Sequence, residues 1–317
     1  MNFTKNQEAS LKVVFVCSGN KSQGKPGILV KNQADSLIEK GININFSIIS
    51  QKGILGYLKA VIPIYKSIKK EKVEIVHAHY SLTAFATSLA ILLIFKNRPK
   101  LVVSLMGSDA QMKGWKRKLT NYFSEKLWFA TIVKSQQMAI DLGLKTFTVI
   151  PNGVQIEKFV NLEIATENKI LFAADPSRES KNFELARKAV DLVKKVVPTI
   201  NLKVVYNVEH AEIINEIKSS ACILSTSKWE GSPNIIKESM ACNRPIVATN
   251  VGDIAWLLEN VEGCFVTNFD AEIIADCILK VLEFNKEHKY TKGLEKIKEL
   301  QLDAQSIANR IMKIYGY

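Results

Sequence analysis

Runs of consecutive apolar residues alternate along this chain with stretches whose apolar positions recur every three or four residues. The first kind reads as strands buried on both faces, the second as amphipathic helices. Leu11–Cys17, Ile44–Ile49, Val73–His77 and Lys100–Leu105 predict strands, with two shorter ones at Thr131–Lys134 and Thr146–Ile150. Ile28–Lys40, Leu82–Phe95 and Lys118–Phe129 predict helices, as does Ile54–Lys70, which Pro63 is set to kink. The turn Pro151-Asn152-Gly153 and the polar stretch Asn161–Lys169 then interrupt the pattern. It restarts with strands at Ile170–Ala174, Leu202–Tyr206, Cys222–Thr226 and Pro245–Thr249. Helices are expected at Phe183–Val197, Glu209–Ser219, Asn234–Cys242, Ile254–Leu258, Ala271–Phe284 and Leu302–Tyr315. Such alternation predicts an α/β protein with two parallel sheets, each covered by helices.

Composition fits that picture: of 317 residues 47% are hydrophobic, enough for two cores. No apolar segment follows Met1 in the manner of a secretory signal. The longest apolar stretch, Leu82 to Phe95, falls short of the roughly 20 residues that a membrane span needs. Cys17, Cys222, Cys242, Cys264 and Cys277 are scattered without a C-x-x-C pair, as expected of reduced, buried thiols in the cytoplasm.

Charge changes the picture more. Residues 1–165 hold 23 Lys and Arg against 10 Asp and Glu, whereas the remainder holds 20 against 21. The whole positive excess lies in the first half, so that half is expected to face something anionic. A basic nucleic-acid-binding protein is one alternative, although the cations are not interleaved with aromatics as in a recognisable module. An anionic membrane surface is another. Leu58, Val61, Ile62, Tyr65 and Ile68 fall at helical spacing among Lys59, Lys66, Lys69, Lys70 and Lys72, and Lys113, Lys116, Arg117 and Lys118 surround Trp115.

Parallel sheets bind ligands at the carboxyl ends of their strands. After the first strand, Gly19 to Pro26 nearly matches a nucleotide-binding P-loop, but Pro26 stands where a metal-binding hydroxyl is required. G-x-G-x-x-G is absent too, which argues against a dinucleotide-dependent oxidoreductase. A loop with Gly24 and Gly27 running into a helix N-terminus still suits a phosphate. After Thr226 comes Trp229-Glu230-Gly231-Ser232-Pro233-Asn234-Ile235-Ile236-Lys237-Glu238-Ser239-Met240-Ala241-Cys242, with Pro233 suited to the first helical position.

Glu230 and Glu238 have the spacing of the E-x7-E motif, and the segment resembles the retaining GT-B glycosyltransferases of family 4 (glycosyl transferases group 1), including those that build cell-envelope polysaccharides. Pro245-Ile246-Val247-Ala248-Thr249, Val251-Gly252-Asp253, Val76-His77-Ala78-His79-Tyr80, Gly107-Ser108-Asp109 and Ile150-Pro151-Asn152-Gly153-Val154 continue the resemblance in family order. It implies two Rossmann-like domains facing each other across a cleft: an acceptor-side domain at 1–160 and a nucleotide-sugar-binding domain at 161–300. A C-terminal helix at 301–317 would pack back on the first. Glu230 would lie beside the transferred sugar and Glu238 would hold the ribose hydroxyls. Gly231, Ser232, Asn234 and Ile235 would meet the diphosphate, while Lys181 and Arg178 would neutralise the leaving group. His79 and Asp109 become the acceptor-side candidates.

The resemblance further implies a nucleotide-diphosphate sugar, UDP-linked, as donor and a cell-envelope glycan or lipid-linked acceptor. No metal and no cofactor are expected, since the chain has no D-x-D motif. Such an enzyme would work in the cytoplasm or peripherally on the inner face of the membrane. A nucleotide-sugar 2-epimerase of the same fold is the nearest alternative. One departure concerns the donor: Met106 stands where many members carry a sugar-contacting His, and a thioether cannot donate to a hydroxyl.

Overall fold

The computed structural model describes residues 11–19, 24–159 and 168–317, and in it the chain divides into two units. The first takes the chain up to Gly153 and again from Ala304 to Tyr317; the second is Val154–Asp303. The boundaries therefore fall at 153 and 303 rather than at the expected 160 and 300. Packing explains where the chain crosses. A Cβ on Gly153 would lie 2.8 Å from Ala304 Cα, so the outgoing and returning segments are pressed together there. Just beyond, Val154 and Asp303 form a parallel bridge.

The first unit runs β1 (Lys12–Ser18), α1 (Ile28–Ile38), β2 (Asn43–Ile49), α2 (Gly53–Lys59), α3 (Val61–Glu71), β3 (Ile75–His79), α4 (Ser81–Leu92), β4 (Lys100–Ser104), α5 (Gly114–Lys126), β5 (Ala130–Val133), α6 (Gln136–Leu142) and β6 (Thr148–Val149). Its six strands lie in the order β2-β1-β3-β4-β5-β6, all parallel. Val13–Val16 and all of β3 are buried because helices cover both faces, and this is why they read as unbroken apolar runs. The expected kinked helix is two helices that part at Ala60, not at Pro63. Pro63 lies in the first turn of α3, where a missing N–H leaves no bond unmade.

The second unit runs β7 (Lys169–Phe172), α7 (Phe183–Val196), β8 (Asn201–Val204), α8 (His210–Ser219), β9 (Cys222–Ser225), α9 (Asn234–Ala241), β10 (Ile246–Thr249), α10 (Ile254–Leu258), β11 (Cys264–Thr267), α11 (Ala271–Glu287) and α12 (Gly293–Glu299). Short 3-10 turns at Ile156–Phe159 and Glu179–Lys181 accompany it. The five parallel strands are ordered β11-β10-β9-β7-β8. β11 and α12 have no counterpart among the expected elements. β11 is a four-residue edge strand that keeps most of its residues part-exposed, and α12 is a seven-residue helix with two buried positions. The last helix, α13 (Ala304–Tyr315), belongs to the first unit, where it packs on α1. The Tyr315 hydroxyl lies 2.6 Å from His77 Nδ1 on β3.

In each sheet the strand order reverses once, between β1 and β3 and between β7 and β9. Loops that leave the two strands flanking such a point part to opposite faces and open a crevice.

Candidate active site

In the second unit that crevice lies between the loops after β7 and β9. Asp175 opens the first loop by accepting the Ser177 amide at 2.9 Å and the Ser177 hydroxyl at 2.7 Å. The 3-10 turn Glu179–Lys181 follows, and Asn182 leaves it with φ 51°. The second loop is stitched to the first. Thr226 Oγ1 donates to Lys181 O and Asn182 O, both at 3.0 Å, and the Lys228 amide donates to Ser180 O at 2.8 Å. This stitching brings Lys181 Nζ onto Glu230 Oε1, which also accepts Ser227 Oγ at 2.8 Å. Both partners of the ion pair are mostly buried yet keep a solvent-facing edge. Arg178 is not brought in; it is exposed at the head of the turn.

A third loop, after β10, closes on the second. Gly252 adopts φ +63°, and a Cβ there would come within 2.7 Å of Gly231 O and 2.9 Å of Glu230 O. No side chain larger than hydrogen fits. Beyond Gly231 and Ser232 the chain enters α9 with Pro233 at the N-cap, one residue before the expected first helical position. No side chain caps the helix, so the positive end of its dipole, at Asn234 and Ile235, is not offset by a capping group.

Glu238 lies on the second turn of α9, part-buried, and its Oε1 is 3.0 Å from His210 Nε2 at the start of α8. The hydrogen bond to Glu238 raises the pKa of His210; burial and the charge of Lys158 oppose it. Its neighbour Lys237 is fully buried and donates from Nζ to Ser232 Oγ at 3.0 Å. Burial pushes this lysine down to about 8, against the pull of Asp253 and Glu238. Asp253 is in turn pushed up to about 6 by burial, with Lys237 and Ser232 drawing it back. His210, Lys237 and Asp253 were not among the residues expected at the site. Lys237 reads in the sequence as one more solvated helix cation, and His210 sits 28 positions from its partner.

The first unit treats its strand ends differently. Asp109, in the 3-10 turn Gly107–Gln111, is completely buried. Its Oδ1 accepts the Ser81 hydroxyl at 2.8 Å and its Oδ2 the Met106 amide at 2.8 Å, tying the turn after β3 to the turn after β4. Burial pushes its pKa up to about 7. His79 is buried too, stacked on His77 at 4.4 Å between ring centroids, and burial pushes it down to about 3. Both side chains lie in the interior, Asp109 tying two turns together and His79 stacked on His77. Gly24 adopts φ +80° and donates its amide to Gly19 O at 3.1 Å. Gly27 precedes α1 in an extended conformation with open space at its Cβ position, so no close approach demands a glycine there. The rest of that loop, Asn20 to Gln23, lies outside the described residues.

Comparison with known proteins agrees with this architecture. Residues 13–158 match the family profile described as Glycosyltransferase Family 4, and residues 192–283 match the one described as Glycosyl transferases group 1. The UDP-Gal:alpha-D-GlcNAc-diphosphoundecaprenol alpha-1,3-galactosyltransferase of Escherichia coli is 24% identical over 78% of this chain and 79% of its own. Among solved structures, sucrose-phosphate synthase from Thermosynechococcus elongatus superposes with a TM-score of 0.76, covering 96% of this chain and 98% of that one at 14% identity. Anabaena HepE in complex with UDP superposes with a TM-score of 0.72, covering 96% and 100% at 17% identity. With one profile matching in each half of a chain whose two parallel sheets superpose on such enzymes along nearly their whole length, this protein belongs to the family 4, group 1 glycosyltransferases and has their two-domain GT-B fold.

Proposed function

We propose that this glycosyltransferase moves a sugar, with retention at the anomeric carbon and without a metal, from a UDP-linked donor to a glycan or lipid-linked acceptor of the cell envelope. The Lys181–Glu230 ion pair at the strand-order reversal, beside the uncapped start of α9, carries the reading. Leaving-group diphosphate needs positive charge, and Lys181 with the amides of Ser232, Asn234 and Ile235 supplies it from fixed positions, a preorganised contribution worth several kcal/mol. Glu230, held by Lys181 and Ser227, orients the sugar and supports the positive charge that develops at its ring. The departing phosphate takes the acceptor proton. Glu238, a turn further along α9, accepts the ribose diol, for which a carboxylate has the paired lone pairs. Arg178 adds charge from the loop's rim.

UDP as the nucleotide draws on the relatives: the Escherichia coli enzyme is named for UDP-Gal and a diphosphoundecaprenol acceptor, and HepE was solved with UDP and with UDP-glucose. A membrane-borne acceptor also draws on the first unit's surface. Ile54, Leu55, Leu58 and Ile62 are exposed along α2 and the start of α3, with exposed Lys59 among them and Lys66, Lys69, Lys70 and Lys72 further along α3 and at its end. Val61, Tyr65 and Ile68 turn inward instead. Trp115 is exposed with Lys116 over its ring, whereas Arg117 is engaged with Leu142 O at 2.9 Å. Among the described residues no helix is long and apolar enough to cross a membrane, so contact through this surface would be interfacial.

The decisive assay offers a panel of UDP-sugars and a lipid-diphosphate-linked GlcNAc acceptor in EDTA, and reads the anomeric proton of the product by NMR. An α-linked product from an α-linked donor is expected. A β-linked product overturns retention. Loss of transfer on chelation, restored by Mg²⁺ or Mn²⁺, overturns the metal-free reading, and failure of every UDP-sugar overturns the nucleotide.

A further inference from the structure

The reading of Glu238 as the ribose ligand leaves open what holds that carboxylate in place. Glu238 is mostly buried, and a long acidic side chain without a partner samples several rotamers, each of which weakens a bidentate contact. His210 meets it from a separate element. His210 opens α8, the helix that crosses from β8 to β9 and packs on α9. The distance, 3.0 Å from Nε2 to Oε1, is that of an ordinary N–H···O hydrogen bond. A carboxylate has about four lone-pair sites, so one donated bond from His210 leaves room for both ribose hydroxyls.

We propose that His210 is a positioning residue for nucleotide binding: it fixes Oε1 of Glu238 so that the carboxylate is already set when the ribose arrives. The inference rests on the ribose role of Glu238. His210 is half-buried and does not need to touch the nucleotide itself. Among the described residues, two charged groups act on it. Glu238 on α9 favours its charged form, and Lys158 on the 3-10 turn Ile156–Phe159 opposes it. Lys169, on β7 beneath α8, is engaged with Glu216 at 2.9 Å, and Lys237 on α9 is engaged with Ser232. Protonated His210 therefore grips Glu238 with a full charge, and neutral His210 grips it with a dipole.

UDP titrated calorimetrically into the full chain, across about pH 5.5 to about pH 8.5, tests this. His210→Ala is expected to weaken UDP binding about tenfold, the loss of one hydrogen bond to a charged group. In the transfer assay the loss should appear in the donor KM and leave kcat within about twofold. His210→Gln donates without titrating. It is expected to restore affinity above pH 7 to within about twofold and to lack the advantage that the wild type gains as pH falls. The phosphate of UDP ionises in the same window in both proteins, so the difference between their curves belongs to the histidine. Should His210→Ala bind UDP like the wild type at every pH, or His210→Gln fail to rescue while thermal unfolding shows both variants folded, the positioning role is overturned. Glu238→Gln, titrated alongside, separates the two levels. If it binds UDP as tightly as the wild type, the ribose role itself falls; if it binds weakly while His210→Ala does not, only the histidine's role falls.

Discussion

The two sheets share one plan and use their strand ends in opposite ways. In the first unit the polar groups at the ends of β3 and in the turn after β4 are withdrawn into the interior: His77 and Asp109 are fully buried, and His79 nearly so. Burial drives each toward its neutral form. In the second unit the carboxylates of Glu230 and Glu238 keep 17% and 15% of their side chains exposed and are each met by a cationic or protonatable partner. A carboxylate so placed has a partner and remains reachable, as the proposed contacts to a diol and a diphosphate require. The first unit carries its charge elsewhere, on the exposed lysines of α2 and α3. Topology therefore provides a crevice in each unit, and among the described residues it is the second unit's that presents partnered, reachable carboxylates.

The contrast within the second unit between a built-in and a rim cation gives the largest expected effect. Lys181→Ala removes the partner of Glu230 and the nearest fixed charge for a leaving diphosphate. A fall of about 10²–10³ in kcat is expected, the size found when one preorganised stabiliser of transition-state charge is lost. Arg178→Ala, at an exposed position with no part in the ion pair, should cost several-fold at most and more at low ionic strength. Equal losses at the two positions, measured by steady-state kinetics, would erase the distinction between them.

The contrast between the units is sharpened by their surfaces. Vesicle co-sedimentation should show binding that needs anionic lipid and falls with salt. Changing Lys66, Lys69 and Lys70 together to Glu is expected to weaken it by at least about 100-fold, since each cation near an anionic surface is worth about 1 kcal/mol. UDP affinity should not change, because these lysines lie in the first unit and the donor groups in the second. Binding indifferent to lipid charge would leave the exposed apolar residues of α2 without their proposed partner.

How much of this was legible in the sequence depends on where each residue's environment is set. The strands at the centre of each sheet are buried on both faces, so their apolar runs announce them. β11 carries as apolar a run as β9 and was overlooked rather than hidden. Glu230 and Lys181 could be named because their loops resemble blocks of the family, the E-x7-E spacing above all. Lys237 could not: whether a helix lysine is solvated or fully buried beneath a loop is decided by tertiary packing, here by the approach of the loop that carries Asp253. The Val251-Gly252-Asp253 block was the available signal, and its meaning lies in Gly252, whose φ and crowded backbone let the third loop close on the second. His79 and Asp109 were marked as acceptor-side candidates by their place in family-like blocks, and burial was what the blocks could not show: both are interior.

Asp109 provides the smallest effect and a direct test of what that burial does. Three donated hydrogen bonds, from the Ser81 hydroxyl and amide and from the Met106 amide, favour its charged form; complete burial favours the neutral one and outweighs them, leaving a pKa of about 7. The folded protein then holds a proton that an unfolded aspartate releases near its ordinary value of 3.8. Folding stability due to this group is full below that value, declines as pH rises through about 7, and levels off about a unit above it. From about pH 6 to about pH 7 the loss is about 1 kcal/mol. Asp109→Asn cannot titrate, so its urea unfolding free energy should lack this component, whatever constant penalty its altered hydrogen bonding adds. The wild-type minus variant difference should shrink as pH rises through 6 to 7. A difference that stays flat would mean that the three donors prevail over burial and that Asp109 remains charged, in which case the first unit does keep a buried carboxylate at its strand ends and the division between the two crevices narrows.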